Sequence, residues 1–156
     1  MPNQLARYPP SSSLRASALT NRVHKRTRDD HASEVAEDYV EAIGDKIAAN
    51  GVCRSMDLVQ EFSVTHATVN NTVARLQRDG LVTTQPYQPI ELTAAGKRLA
   101  TAARKRHEIV KSFLEAMGVS SRTAAIDSEG IEHHVSKETL QAMKKILKNG
   151  WPATER

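Results

Sequence analysis

The chain has 156 residues, of which 39% are hydrophobic and 4% aromatic, and its formal net charge is +4. This length suits one domain, or one small domain with an appended helical piece, and the core must be largely aliphatic. A single cysteine excludes an internal disulfide framework, and we expect a cytoplasmic protein because the sequence has neither a membrane-length apolar run nor a secretory signal.

The charge is unevenly distributed along the chain. Lys and Arg outnumber Asp and Glu by six to two in residues 1–30 and by eight to three in residues 66–111, whereas residues 31–65 carry two against seven. Basic blocks beside an acidic one predict two partners of opposite charge, a polyanion and a cation.

The first predicted elements are an arm and three helices. Residues 1–30 contain PP and SSS with little hydrophobic periodicity, and are predicted to form a flexible basic arm. Helical spacing of apolar residues begins at Ser33 and ends at Asn50-Gly51. Ser55 is predicted to cap the second helix, and Asp79-Gly80 ends the third.

The second half of the chain begins with a predicted hairpin. The β-prone runs LVTT and IEL are separated by QPYQP, which places both prolines in the loop. Thr93 then opens a long helix that Gly118 closes, and shorter helices are expected at about 120–134 and 136–148. This order of elements predicts a mainly α fold with a winged helix-turn-helix at its N-terminal end.

The outer face of the third helix is polar and basic. Short amide and hydroxyl side chains there can read base edges, and basic residues can meet phosphates. The alternative is a polar face that is merely solvated. The residues expected to contact DNA are Thr65, His66, Thr68, Asn70, Asn71, Arg75, Arg78 and Lys97.

The segment EGIEHHVS at 129–136 is the strongest candidate for a metal site. On a helix Glu129, Glu132 and His133 lie within an arc of about 100°. His134 falls off this face, so the adjacent histidines are not expected to act together.

A second acidic pair lies at Asp38 and Glu41, and His107 occurs in RKRHEIV on the long helix. Gathered in one pocket, these groups would repel one another unless a cation neutralised them. Taken singly, such acid pairs are usually surface residues and a lone histidine is usually not a ligand. HEIVK has Lys where a zinc protease needs its second His, and no phosphate loop or nucleophile elbow occurs, so an enzyme is not expected.

These motifs together resemble the diphtheria toxin repressor family of metal-dependent transcriptional regulators, and most closely its manganese-responsive branch. The resemblance rests on EDYVEAI at 37–43, RDGLV with LTAAGKRLA, RHEIVKSFL at 106–114 and EGIEHHVS. It implies a winged helix-turn-helix DNA-binding domain at 31–96, a helical metal-binding and dimerisation domain at 97–150, and a tail at 151–156. The small barrel domain of longer relatives is expected to be absent.

The resemblance also implies a ligand set and a function. Iron-responsive relatives place Met and Cys where this chain has Asp38 and Glu129, and these hard oxygen donors suit Mn²⁺ better. The implied protein is a homodimeric Mn(II)-activated repressor of manganese uptake genes that binds double-stranded operator DNA, with no membrane or small-molecule substrate. The implied ligands of two Mn(II) ions per subunit are Asp38, Glu41, His107, Glu129, Glu132 and His133.

Three alternatives remain open from the sequence. One is an iron-responsive regulator, and another is a winged-helix regulator independent of metal. A two-metal hydrolase is the third, because carboxylates and histidines also build such sites. Cys53 and Met56 lie outside the ligand motifs and are expected to be structural.

Overall fold

The computed structural model describes residues 11–151, with side chains from residue 31 onwards. The chain is mainly α-helical, as predicted. No helix within the described residues is long and apolar enough to cross a membrane. In chain order the elements are α1 Ser11–Asn50, α2 Ser55–Phe62, α3 His66–Arg78, β1 Val82–Thr83, β2 Glu91–Leu92, α4 Ala94–Ala116, α5 Ser121–Ile131, a 3₁₀ turn Glu132–His134 and α6 Lys137–Asn149.

The first helix is longer than predicted, because α1 begins at Ser11 and not near Ser33. Residues 11–30 lack an apolar stripe, but they contain good helix formers and no proline, and local propensity suffices for helical backbone. The rest of the predicted arm, residues 1–10, lies outside the described residues, as do residues 152–156. The structure divides into two units, residues 1–33 and residues 34–156, and the hydrophobic core and the candidate sites belong to the second. The predicted domain boundaries stay predictions.

The helices α2 and α3 follow α1, and the cap of α2 differs from the prediction. Arg54 is the N-cap residue, and its backbone N–H donates to Asp57 Oδ2 at 2.7 Å, so Ser55 is already helical. The Asp57 side chain thus accepts from the Arg54 N–H group at the start of the helix. In α3 the Thr65 hydroxyl is the cap and accepts from the Thr68 N–H at 3.2 Å.

One hydrophobic core joins α1, α2, α3 and the hairpin. Tyr39 of α1 stacks on Phe62 of α2 with ring centroids 4.3 Å apart. Cys53 is fully buried in this core, and burial raises the pKa of its thiol to about 11, which fits the predicted structural role. Met56 is half exposed, and its predicted structural role stays a prediction. The other buried members are Ala36, Ile43, Leu58, Val69, Val73, Leu76, Val82 and Ile90.

A tight joint connects the hairpin to α4. The strands are antiparallel, with Val82 opposite Leu92. The Thr93 hydroxyl accepts from the Gly96 N–H at 3.0 Å and donates to the Gly80 carbonyl at 2.7 Å. A Cβ at Gly96 would lie 2.1 Å from the Leu81 carbonyl oxygen. The first turn of α4 therefore packs directly on the backbone that enters β1.

We expect Gly96→Ala to destabilise the protein by roughly 1–3 kcal/mol, because backbone atoms would have to move apart. Gly44→Ala is the matched control. Its new Cβ would meet Leu92 Cδ1 at 3.5 Å, an ordinary contact, so loss of a mid-helix glycine should leave stability unchanged or raised by up to about 1 kcal/mol. Urea unfolding of both variants checks this, and equal stabilities would contradict the close approach at Gly96.

Candidate metal centre and nucleic-acid interface

Three parts of the fold converge on one acidic cluster. The helix α1 supplies two carboxylates and α4 one imidazole, while α4 packs against α5, the 3₁₀ turn and α6. At Ile131 the helix α5 tightens into the 3₁₀ turn, which carries the next two polar residues inward. Contacts of 3.6 Å or less join five of the six predicted ligands, Asp38, His107, Glu129, Glu132 and His133. Glu41 lies close enough to Asp38 and Glu129 for their charges to raise its pKa.

Glu132 lies at the centre of this cluster and is only 2% exposed. Its Oε2 lies 3.1 Å from His107 Nδ1, and its Oε1 lies 3.6 Å from His133 Nε2. His107 Nδ1 is also 3.4 Å from Glu129 Oε1, and His133 Nε2 is 3.3 Å from Asp38 Oδ1. Each imidazole therefore turns one nitrogen towards two carboxylates.

The environment of the cluster disfavours the ionised form of three of its carboxylates. Burial raises the pKa of Glu132 to about 7, and Glu41 and Glu129 add to this effect while His133 opposes it. Burial also raises the pKa of Asp38 and of Glu41. Glu132 Oε2 is buried and accepts no hydrogen bond from any residue within 31–151. A buried polar atom without a partner is costly, so an added positive charge would be favourable at this site.

A divalent cation fits this donor set. Carboxylate oxygens and imidazole nitrogens are ligands for such ions, and the unpartnered Oε2 of Glu132 faces His107 Nδ1 while Oε1 faces His133 Nε2. In the part of the chain that the structure describes, no three of these side chains are spaced to hold an ion as they stand. Glu132 instead contacts His107 and His133 directly.

Glu37 belongs to this site although sequence analysis missed it. It is 7% exposed and forms an ion pair with Arg106 of α4. The same oxygen, Glu37 Oε2, lies 3.0 Å from His133 Nδ1 with hydrogen-bond geometry. Two signals were available in the sequence, since Glu37 lies four residues before Glu41 and Arg106 lies next to His107. His134 is exposed, as predicted.

The far side of the other imidazole meets a buried hydroxyl. Ser128 is fully buried and donates to the Ala125 carbonyl at 3.0 Å. Its Oγ lies 3.4 Å from His107 Nε2, a long contact. Since the hydroxyl proton is already used, the oxygen can only accept from His107. This arrangement leaves Nδ1 of His107 as the nitrogen that faces the carboxylates.

The residues predicted to read DNA lie mostly on the exposed face of α3. Six of the eight are exposed there, namely Thr65, His66, Thr68, Asn70, Asn71 and Arg78, whereas Arg75 is half-buried. Thr65 is occupied as the helix cap, and its Oγ1 also lies 3.0 Å from Thr68 Oγ1. Lys97 is exposed on α4, where it lines a separate basic groove with Arg98 and Lys105.

A cleft of ≈ 660 Å³ lies between α3 and the hairpin loop. His66 and Asn70 line one wall, and Tyr87 lines the other. Tyr87 is 98% exposed at the loop tip with φ of +65°, and its carbonyl accepts from Arg54 Nη1 at 3.4 Å. Sequence analysis did not include Tyr87 or Arg54 among the candidate contacts, since the turn that displays them depends on this long-range hydrogen bond.

Comparison with known proteins identifies the family. The model of the iron dependent repressor N-terminal DNA binding domain matches residues 31–90, and that of the iron dependent repressor metal binding and dimerisation domain matches residues 93–150. The transcriptional regulator MntR of Escherichia coli O6:H1 is 42% identical over 120 residues, which is 77% of each chain. The chain belongs to the diphtheria toxin repressor family, the iron-dependent repressors.

Two further relatives support this assignment. The HTH-type transcriptional regulator MntR of Geobacillus thermodenitrificans is 35% identical over 111 residues, covering 71% of this chain and 79% of the relative. The solved structure of a manganese-dependent transcriptional repressor in complex with manganese has a TM-score of 0.63 at 25% identity, covering 72% of this chain and 52% of that one.

Family membership resolves two of the alternatives left open by the sequence. The family consists of metal-dependent transcriptional regulators, so the hydrolase and the metal-independent regulator were wrong. The expectation of a DNA-binding regulator that is not an enzyme is confirmed. The two matched domains adjoin between residues 90 and 93, where β2 passes into α4.

We expect Glu132→Gln to stabilise the metal-free protein at pH 7.5 by on the order of 1 kcal/mol, because it removes a carboxylate whose charge is disfavoured by burial. Glu129→Gln is the control, since the Glu129 side chain is 70% exposed and should have little effect. Chemical denaturation in the presence of a chelator measures both. A destabilised Glu132→Gln would mean that nearby cationic groups already compensate the carboxylate.

Proposed function

We propose that this chain is a Mn(II)-activated transcriptional repressor that binds operator DNA as a homodimer when its metal site is filled. The observation that carries this proposal is the buried, unpartnered oxygen of Glu132 at the point where α1, α4 and the 3₁₀ turn meet. The proposed ligands of a pair of ions are Asp38, Glu41, His107, Glu129, Glu132 and His133.

Manganese is favoured by the donors and by the relatives. Asp38 and Glu129 offer hard oxygen where softer sulfur ligands would favour other metals. The E. coli relative is named MntR, and the manganese-dependent repressor was solved with manganese. Mn²⁺ forms the weakest complexes of the common divalent series, so geometry and cellular availability must add to selection. An iron response is the competing proposal, because the family models describe iron dependent repressors.

The switch follows from where the ligands are attached. A bound cation supplies the positive charge that lets these carboxylates lie close together. Asp38 and Glu41 belong to α1. Another face of this helix carries Tyr39 and Ile43, which lie in the hydrophobic core shared with α2, α3 and the hairpin. Once ordered, these ligands fix α1 against α4, and without that counter-charge the carboxylates repel and loosen the joint. Coupling to DNA then equals the difference in metal affinity between the ordered and loose states.

The C-terminal helices provide a surface suited to a second copy of the chain. None of the residues of α6 is fully buried although the helix is amphipathic. Phe113 of α4 contacts Trp151 with ring centroids 5.7 Å apart. The exposed apolar residues nearby are Met117, Ile126, Ile131, Leu147 and Trp151. Such a dimer would present two α3 helices to successive major grooves of a palindromic operator in the cytoplasm, and the genes repressed would be those for manganese uptake.

We expect His133→Ala to abolish Mn(II)-dependent operator binding and His134→Ala to leave it intact. The two residues are adjacent, but His133 is 4% exposed among the carboxylates whereas His134 is exposed. The measurement is fluorescence anisotropy on an operator selected in vitro, with Mn(II) or with chelator. Iron, supplied as Fe(II) without oxygen, tests the competing proposal.

Tight binding by wild type and by His133→Ala that ignores metal would overturn the switch. Stronger activation by Fe(II) than by Mn(II), at the same free concentration, would replace manganese by iron. Calorimetric titration of the wild type with Mn(II) gives the number of ions per subunit. A stoichiometry of one would overturn the proposal that each subunit binds two Mn(II) ions.

We expect Asn71→Ala to weaken operator binding by about 1–3 kcal/mol while hardly changing binding to random DNA, because an amide that reads a base carries sequence information. Arg78→Ala is the control at a proposed phosphate contact, and it should weaken both and lower the salt dependence. Equal losses on operator and random DNA for Asn71→Ala would argue against a base contact.

A further inference from the structure

We infer that Glu37, held by Arg106, is a positioning residue that presents His133 Nε2 to the metal. This inference rests on the proposed function, because it concerns a residue that holds a ligand without being one. It assigns a role to the buried ion pair between α1 and α4, which the ligand set does not include.

The first step is the hydrogen bond between Glu37 and His133. Glu37 Oε2 lies 3.0 Å from His133 Nδ1. A carboxylate that pairs with an arginine can only accept, so the imidazole must carry its proton on Nδ1. The other nitrogen, Nε2, then faces Asp38 Oδ1 at 3.3 Å and Glu132 Oε1 at 3.6 Å. The nitrogen left to coordinate is therefore the one among the acidic ligands.

The second step is the fixation of Glu37 itself. Arg106 Nη2 binds the same oxygen, Glu37 Oε2, that accepts from His133. The Glu37 side chain is 9% exposed and that of Arg106 is 23% exposed, so solvent competes little for this pair. An ion pair of this kind holds the carboxylate in one orientation and thereby fixes the plane of the imidazole.

The third step shows why Glu37 is not counted among the proposed ligands. Its charge is matched by Arg106, which makes it a poor donor for a cation. It also approaches the Nδ1 edge of His133, whereas Asp38 and Glu132 approach the Nε2 edge. Glu37 thus lies behind the imidazole. Because Glu37 belongs to α1, Arg106 to α4 and His133 to the 3₁₀ turn, the chain of contacts joins the same three elements as the metal.

The test uses full-length protein, Mn(II) and three variants. Glu37→Leu keeps the bulk but removes the acceptor, and it leaves Arg106 without its partner. The double variant Glu37→Leu/Arg106→Met replaces the whole pair by apolar groups, which commonly leaves stability unchanged or raised. Asp45→Asn is the matched control, since Asp45 of α1 pairs with Arg104 of α4 at 2.6 Å in an exposed position.

Calorimetric titration with Mn(II) should give affinities about 10- to 100-fold weaker for Glu37→Leu and for the double variant. Asp45→Asn should remain within about twofold of wild type, because exposed ion pairs contribute little. Unfolding in chelator should show the double variant to be as stable as wild type. Restored stability without restored Mn(II) affinity identifies positioning as distinct from a structural role.

Proton–nitrogen correlation spectra of the metal-free protein provide a second readout. Wild type should give a protected Nδ1–H signal for His133, and the double variant should lose it. Wild-type affinity in the double variant, an equal loss in Asp45→Asn, or absence of the Nδ1–H signal from wild type would each overturn the inference. Failure of the wild type to bind Mn(II) would instead overturn the proposed function, so the two failures are distinguishable.

Discussion

A carboxylate enclosed between two imidazoles is the interaction on which the rest of the molecule depends. Glu132 is buried, one of its oxygens has no hydrogen-bond partner among the described residues, and the nearby carboxylates of Glu41 and Glu129 raise its pKa further. Burying such a group costs several kcal/mol unless a charge of opposite sign accompanies it. A cation bound there would offset this cost at the place where three elements meet, which is what the proposed switch requires.

The helix α1 serves two environments at once. Tyr39 and Ile43 pack in the hydrophobic core with α2, α3 and the hairpin, while Asp38 and Glu41 face the acidic cluster. Close-packed cores resist small displacements, so a change at one face of this helix is passed to the other without a flexible linker between them. The proposed switch needs no separate signalling element, because proposed ligands and core residues alternate along a few turns of α1.

Much of the fold could be predicted because periodicity and turn residues act locally. The order of helices and the hairpin followed from spacing. Features set by distant partners could not be predicted in this way. The role of Glu37 depends on Arg106, 69 residues away, and on His133, 96 residues away. The break at Ile131 and the cap by Arg54 depend on local geometry that propensity does not resolve.

The close packing at Gly96 couples any tilt of α4 to a displacement of the hairpin. Thr93 and Gly96 fasten one end of this helix to the hairpin, and His107 lies 11 residues further along it. At 1.5 Å per residue the two points are about 16 Å apart, so each degree of tilt at His107 moves the hairpin end by about 0.3 Å. Hydrogen bonds to bases tolerate a range of only about 0.5 Å. A rotation of α4 by about two degrees about His107 would therefore move the hairpin end by more than this range and change what the hairpin can touch.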